Sequence, residues 1–106
     1  MKCRPALEKH IVAQIVRALR ARPGIVVRKR HGTAMGVAGD PDLYGSMNGR
    51  HFEIEVKRPV GSSQLTELQS QRLREWDRAG AISGVARTVD DALRILGLES
   101  KHGEHL

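Results

Sequence analysis

The sequence contains little cysteine, few aromatic residues and no long hydrophobic run. Cys3 is the single cysteine, so an internal disulfide of the kind that stabilises small secreted domains is excluded. No apolar stretch approaches the ~20 residues of a transmembrane helix, and the first residues lack the apolar core of a signal peptide. These absences indicate a protein that does not bind a membrane and works in the reducing cytoplasm of a bacterial cell or a phage-infected host.

Aromatic side chains are also scarce, and this limits how the chain can bind a nucleic acid. Tyr44, Phe52 and Trp76 are the whole set, too few for a platform on which single-stranded bases stack. The formal net charge is nevertheless +6, from 18 Lys and Arg against 12 Asp and Glu. Such a basic excess favours a polyanionic partner, of which nucleic acid is the commonest. We therefore expect contacts mainly with phosphates.

Length and hydrophobic pattern predict one small α/β domain. The chain has 106 residues, of which 40% are apolar and 28% charged, values typical of a globular chain with a single core. The pattern predicts a small mixed sheet flanked by helices, in the order α-β-β-β-α-β-α. The predicted elements cover residues 5–22, 25–31, 42–45, 49–57, 66–79, 82–87 and 88–97. Residues 1–98 form the predicted domain, and 99–106 a polar tail.

Local signals support several of these boundaries. Thr66 and Gln69 have the spacing of a helix capping box, and Thr88 is a predicted N-cap followed by two acidic residues. Between the second and third strands we expect a turn at Ser46-Met47-Asn48. Trp76 is expected in the core or at an interface.

A possible site lies in the third predicted strand. Phe52, Ile54 and Val56 alternate there with Glu53, Glu55 and Lys57, so the charged residues share one face. Because the preceding strand is short and joined by a tight turn, we expect Asp42 to lie beside Glu55. Two carboxylates, with the main-chain carbonyl of Val56 as a third ligand, suit Mg²⁺. A lysine next to such an ion can orient a water or stabilise charge on a phosphate. The carboxylates, the metal ion and the lysine together can hydrolyse a phosphodiester.

The motifs also resemble a known family. They are Gly39-Asp40-Pro41-Asp42-Leu43, Ile54-Glu55-Val56-Lys57 and Leu65-Thr66-Glu67-Leu68-Gln69. In this order and spacing they resemble the VRR-NUC (virus-type replication-repair nuclease) domain of the PD-(D/E)XK nuclease superfamily. The resemblance extends from Glu8 to Gly97 and implies a restriction-endonuclease-like α/β core.

The resemblance implies a role for each matching residue. Asp42 and Glu55 match metal ligands, and Lys57 matches the catalytic lysine. Glu8 matches an acid that often completes the metal site, and Gln69 matches a glutamine that borders it. The chain departs from the family at Arg58, where a glycine commonly follows the lysine; this is expected to alter the path of the substrate strand rather than remove activity.

Each assignment has a structural alternative. Glu55 and Lys57 can form an ordinary exposed ion pair, Asp42 can be a turn acid, and Glu8 can stabilise the helix dipole. The capping box accounts for Gln69 without catalysis.

Other polar residues remain open in the same way. Asp40 is expected to be a turn residue rather than a ligand, and Glu53 is a weaker candidate for a metal contact. His31 and His51 are expected at the surface. The basic residues Arg28, Lys29, Arg30 and Arg58 are candidates for binding DNA phosphates, although the run from Arg28 to Arg30 can equally be a solvated face.

These observations favour an endonuclease that acts on DNA with Mg²⁺, or with Mn²⁺ in its place, and without a small-molecule cofactor. The resemblance to bare-domain family members implies resolution of branched DNA, four-way junctions above all. A homodimer is expected because cutting two strands needs two sites. A small core is also not expected to cover all of the apolar residues on the helices, such as Val12, Val16, Leu68 and Trp76. The alternatives are a catalytically silent DNA-binding module, or a nicking subunit of a larger phage or mobile-element complex.

Overall fold

The computed structural model describes residues 4–32, 35–59 and 64–98, with side chains in the first helix from Glu8 onward. Its elements are α1 (Arg4–Arg20), β1 (Ile25–Lys29), β2 (Leu43–Met47), β3 (Arg50–Val56), α2 (Glu67–Arg78), β4 (Ile82–Ala86) and α3 (Val89–Ile95). The predicted α/β class and element order are confirmed. The predicted tail at 99–106 lies outside the described residues.

The four strands form one mixed sheet in the order β1-β2-β3-β4. The pairs β1–β2 and β2–β3 are antiparallel, whereas β3–β4 is parallel and requires a crossover, which α2 provides. Strand β3 is therefore flanked on both sides, and five of its seven residues are buried. A charged side chain in the second half of this strand cannot remain fully solvated.

The β2–β3 turn differs from the sequence prediction. It is a two-residue turn at Asn48-Gly49, and Ser46 and Met47 belong to β2. Both turn residues have positive φ, 51° for Asn48 and 91° for Gly49, a geometry that matches the right-handed twist of a hairpin and favours Asn-Gly. The Ser-Met-Asn turn was wrong because the Asn-Gly pair is the stronger signal.

The helix caps agree with the prediction. The Thr66 hydroxyl accepts the Gln69 N–H, and the Gln69 side chain accepts the Thr66 N–H, so both halves of the capping box are present. At α3 the Thr88 side chain accepts the Asp91 N–H. None of the helices in the described part of the chain is long and apolar enough to cross a membrane.

The two faces of the sheet have different roles. One face packs against α1 and α3 and forms the hydrophobic core, in which Ile15, Leu19, Phe52, Ile54 and Val56 are fully buried. The other face carries Glu53, Glu55 and Ser83, and it contacts α2 through the bond from Ser83 Oγ to the Leu73 carbonyl. The aliphatic residues of β3 therefore fill the core, while its acidic residues lie on the opposite face near α2.

Candidate active site

The β2–β3 register brings Asp42 next to β3. Leu43 pairs with Ile54, so the antiparallel register continues to Asp42 opposite Glu55. The Val56 N–H donates to Asp42 Oδ2 at 2.9 Å. Asp42 thus lies beside Glu55, as the sequence predicts, and in addition the backbone of β3 holds one of its carboxylate oxygens.

Glu55 is a buried carboxylate whose charge is poorly compensated. Its relative exposure is 3%. Burial, followed by the negative charge of Asp42, raises the pKa of Glu55 to about 7, and the Lys57 ammonium only partly opposes this. An exposed Glu55–Lys57 pair is therefore excluded as an account of these residues. The site has an excess of negative charge that favours a cation.

Lys57 completes this group on the same face of the sheet. Its Nζ lies 3.6 Å from Glu55 Oε2, and its side chain is only 12% exposed. The Lys57 N–H donates to the Ala86 carbonyl at 3.0 Å, which continues the β3–β4 ladder one residue beyond the strand. The backbone thus fixes the position from which the Lys57 side chain extends.

Glu8 approaches the site from α1. It lines the same groove as Asp42, and its negative charge contributes to the raised pKa of Glu55. Gln69 has a different setting, since its side-chain carbonyl accepts the Thr66 N–H at 3.0 Å. Its structural role at the start of α2 is clear, and its catalytic role stays a prediction.

The donor set fits a magnesium-like ion. Within residues 4–32, 35–59 and 64–98, no three His, Cys, Asp or Glu side chains come close enough to hold a metal by themselves. Mg²⁺ does not require three, because it is commonly bound through one or two carboxylates and keeps several waters. The hard oxygens of Asp42 and Glu55, whose charge Lys57 compensates only in part, meet this requirement.

Glu53 and Arg30 have roles that the sequence prediction missed. Glu53 is fully buried, and Arg30 binds both of its carboxylate oxygens, at 2.7 and 3.2 Å. His51 Nε2 lies 2.6 Å from Glu53 Oε2. These contacts occupy Glu53 within the protein, so it does not act as a metal ligand here. They also hold the Arg30 guanidinium against Glu53, and its contact with a DNA phosphate stays a prediction.

The same cluster holds the loop that carries Asp42. Arg30 donates through its side-chain Nη1 to the Pro41 carbonyl at 2.8 Å. Its main-chain N–H donates to the Asp42 carbonyl at 2.7 Å. Trp76 Nε1 donates to Asp40 Oδ1 at 3.2 Å, so Asp40 anchors the loop to α2, in keeping with a turn residue. Gly39, just before it, has a φ of 84°, and the Leu68 side chain lies so close that a Cβ added at Gly39 would collide with it.

The signal for this cluster is visible once the topology is known. His51, Glu53 and Glu55 share one face of a strand that is covered on both sides. A buried acid there requires a partner, and Arg30 is supplied by the end of β1. The sequence does not reveal which cation this is, because the pairing depends on β1, β2 and β3 lying side by side. His51 contacts Trp76, with ring centroids 4.9 Å apart, and is only partly exposed.

The remaining basic candidates lie nearer the surface. Arg28 and Lys29 are exposed, as is His31, and Lys29 lines the groove that contains Glu8 and Asp42. Arg58 is partly buried, and its main-chain carbonyl accepts a hydrogen bond from Arg87 at 2.6 Å. Arg28, Lys29 and Arg58 therefore remain candidates for phosphate binding.

Solved structures of other proteins share this fold. A chain described as a "VRR_NUC domain protein" has a TM-score of 0.66 and 22% identity, covering 86% of this chain and 85% of that one. A second, described as "VRR_NUC domain", has a TM-score of 0.67 and 20% identity, covering 85% and 94%. No family model and no curated protein matches the sequence. The resemblance seen in the motifs is thus confirmed at the level of the fold.

The raised pKa of Glu55 predicts how stability depends on pH without metal. Because the pKa of Glu55 is 4.5 ordinarily and about 7 here, its contribution to stability is fully present below pH 4.5 and is lost as the pH rises through 7. Glu55→Gln removes this loss and should stabilise the metal-free protein at pH 8 by on the order of 3 kcal/mol. Urea denaturation in EDTA at pH 5 and pH 8 measures it. Parallel stability profiles for the two proteins would contradict the prediction.

The Arg30–Glu53 pair predicts a strong single-mutant effect. Arg30→Met leaves a fully buried carboxylate without its main partner and should cost about 3–5 kcal/mol. The double variant Arg30→Met/Glu53→Leu removes both charges and should recover most of that loss. Denaturation of the wild type, both single variants and the double variant completes the cycle. Additive costs would show that the two side chains do not stabilise each other.

Proposed function

We propose that this chain is a metal-dependent endodeoxyribonuclease that hydrolyses DNA phosphodiester bonds in the cytoplasm. The observation that carries the proposal is the arrangement at the end of β3. There Asp42 lies opposite Glu55, and Lys57 Nζ is 3.6 Å from a buried Glu55 carboxylate. The fold shared with VRR_NUC domain structures supports the same conclusion, as does the net charge of +6.

The proposed metal ligands are those with hard oxygen donors near this point. Asp42, Glu55 and the main-chain carbonyl of Val56 would hold Mg²⁺, with Mn²⁺ as a substitute, and Glu8 would complete the site. A divalent cation supplies positive charge for the scissile phosphate and lowers the pKa of a water. Binding also relieves the repulsion between the Asp42 and Glu55 carboxylates, which is part of the cause of the raised pKa of Glu55.

Lys57 is the proposed catalytic lysine. Its ammonium is little exposed, so solvent weakens its field less than that of a surface lysine. In that position it stabilises negative charge on the phosphate or orients the attacking water. Gln69 is proposed to border the site through its side-chain NH₂, since the capping box uses only its carbonyl oxygen. Among the basic residues that the sequence suggests for DNA binding, Arg28, Lys29 and Arg58 are the proposed phosphate contacts.

Cleavage is predicted to depend on the cation and on each of the three central residues. Plasmid or oligonucleotide DNA should be cut with Mg²⁺ or Mn²⁺ and left intact in EDTA. Asp42→Asn and Glu55→Gln should nearly abolish cleavage without loss of stability, because neither substitution removes buried volume. Full cleavage in excess EDTA would contradict the proposal.

Lys57→Ala separates chemistry from binding. It should lower the cleavage rate at saturating DNA by about a hundredfold or more, with little change in DNA affinity, because one contact is a small part of the electrostatic binding energy. Arg74→Ala, an exposed cation on α2, is the control for loss of one positive charge. Equal cleavage rates for Lys57→Ala and Arg74→Ala would make Lys57 a non-catalytic residue.

We further propose a homodimer that prefers branched DNA, four-way junctions above all. Each chain carries one such site, and symmetric cleavage of two strands requires two sites at a fixed separation. The apolar residues that the sequence suggests for the interface are not equally available. Val12 is 7% exposed and belongs to the core, whereas Leu68 is 38% exposed. Val16 packs partly on the core, and Trp76 binds Asp40. Leu68 is thus the strongest apolar candidate of the four.

Light scattering at micromolar protein should give twice the 11.7 kDa chain mass. A junction should be cut faster than a linear duplex of the same sequence when both compete in one reaction. A monomer mass contradicts the first expectation, and equal rates contradict the second. Binding without cleavage by isolated protein would favour a nicking or binding subunit of a larger complex.

A further inference from the structure

A groove of about 860 Å³ runs along α1 and ends at the candidate active site. Four basic residues line it: Lys9, Arg17 and Arg20 from α1, and Lys29 from the end of β1. Glu8 and Asp42 are its acidic lining residues, and both belong to the proposed metal site. The groove therefore joins a basic channel to the point where a phosphodiester would be cut.

The helix spacing explains how α1 presents these charges. Lys9, Ala13, Arg17 and Arg20 recur every three or four residues and lie on one face, and all four are exposed. The opposite face is buried through Ile11, Ile15 and Leu19. From Glu8 to Arg20 the helix rises ~18 Å, which corresponds to about five base pairs of B-form DNA.

The basic side chains of the groove have no partners in the described protein. Within residues 4–32, 35–59 and 64–98, no ion pair and no side-chain hydrogen bond involves Lys9, Arg17, Arg20 or Lys29. Elsewhere, Arg72 and Arg94 are each paired with an acid one turn away. Like charges gathered in one groove repel each other, and a polyanion relieves this repulsion.

We propose that this groove binds the sugar–phosphate backbone of the DNA substrate on one side of the cleaved bond. The inference rests on the proposed function, because that function supplies the phosphodiester at the Asp42 end. Phosphates would contact Arg17, Arg20 and Lys29, while Ala13 and Val16 between them offer an apolar floor for the sugar carbons. The charge of the groove favours DNA over a second copy of this chain, whose net charge is +6.

The test compares two double variants that each lose two exposed arginines. Arg17→Ala/Arg20→Ala removes charge from the groove, and Arg74→Ala/Arg78→Ala removes the same charge from α2. Fluorescence anisotropy with labelled duplex and junction DNA is measured in EDTA over a series of salt concentrations. The groove variant should bind about tenfold or more weakly, and its plot of log affinity against log salt should be shallower by about 2. The α2 variant should keep the wild-type slope.

The outcomes separate this inference from the proposed function. Equal slopes for the two variants, or no DNA binding by the wild type, overturn the groove proposal. A groove variant that changes from dimer to monomer in light scattering while its DNA affinity is unchanged makes the groove a contact between chains and overturns it too. Wild-type cleavage in Mg²⁺ is scored separately. If the wild type cleaves DNA but the two variants have equal salt slopes, the proposed function is supported and the groove proposal is not. A groove-specific change of slope without cleavage supports the groove and refutes the nuclease.

Discussion

The burial of two carboxylates in one central strand is the constraint on which the site depends. Glu53 and Glu55 share a face of β3, and both are almost completely buried, yet the protein compensates them differently. Glu53 receives an internal cation in Arg30, through two hydrogen bonds, together with His51. Glu55 has only Lys57 at 3.6 Å, against the negative charge of Asp42. The first acid is satisfied within the fold, whereas the second is not, and the proposed divalent cation would supply the missing positive charge.

These two acids are also linked through the loop before β2. Arg30, held by Glu53, binds the carbonyls of Pro41 and Asp42, and Asp40 is fastened to Trp76. Asp42 is then fixed by the β3 backbone at Val56. A site that must hold carboxylates at fixed positions before a metal arrives gains from this arrangement, since residues behind the site restrict its ligands.

Helix α1 has two separate roles because its residues are arranged with helical periodicity. Ile11, Ile15 and Leu19 pack under the sheet, while Lys9, Arg17 and Arg20 face the groove on the other side. Leaving the basic side unpaired costs little stability in isolation, because exposed ion pairs contribute under ~1 kcal/mol. The positive charge of this side is thereby available to the DNA backbone that we propose for the groove.

Much of the fold follows from local signals in the sequence. Alternation in β3, the capping box at Thr66 and the N-cap at Thr88 depend on neighbours in the chain, and each is present in the structure. The placement of Asp42 beside Glu55 was predicted in the same way, because a short hairpin leaves few registers. The partnership of Arg30 with Glu53 required tertiary structure, since it joins residues 23 apart across two strand pairings. The groove also required it, because helical spacing identifies the basic face of α1 but only packing decides that this face ends at Asp42.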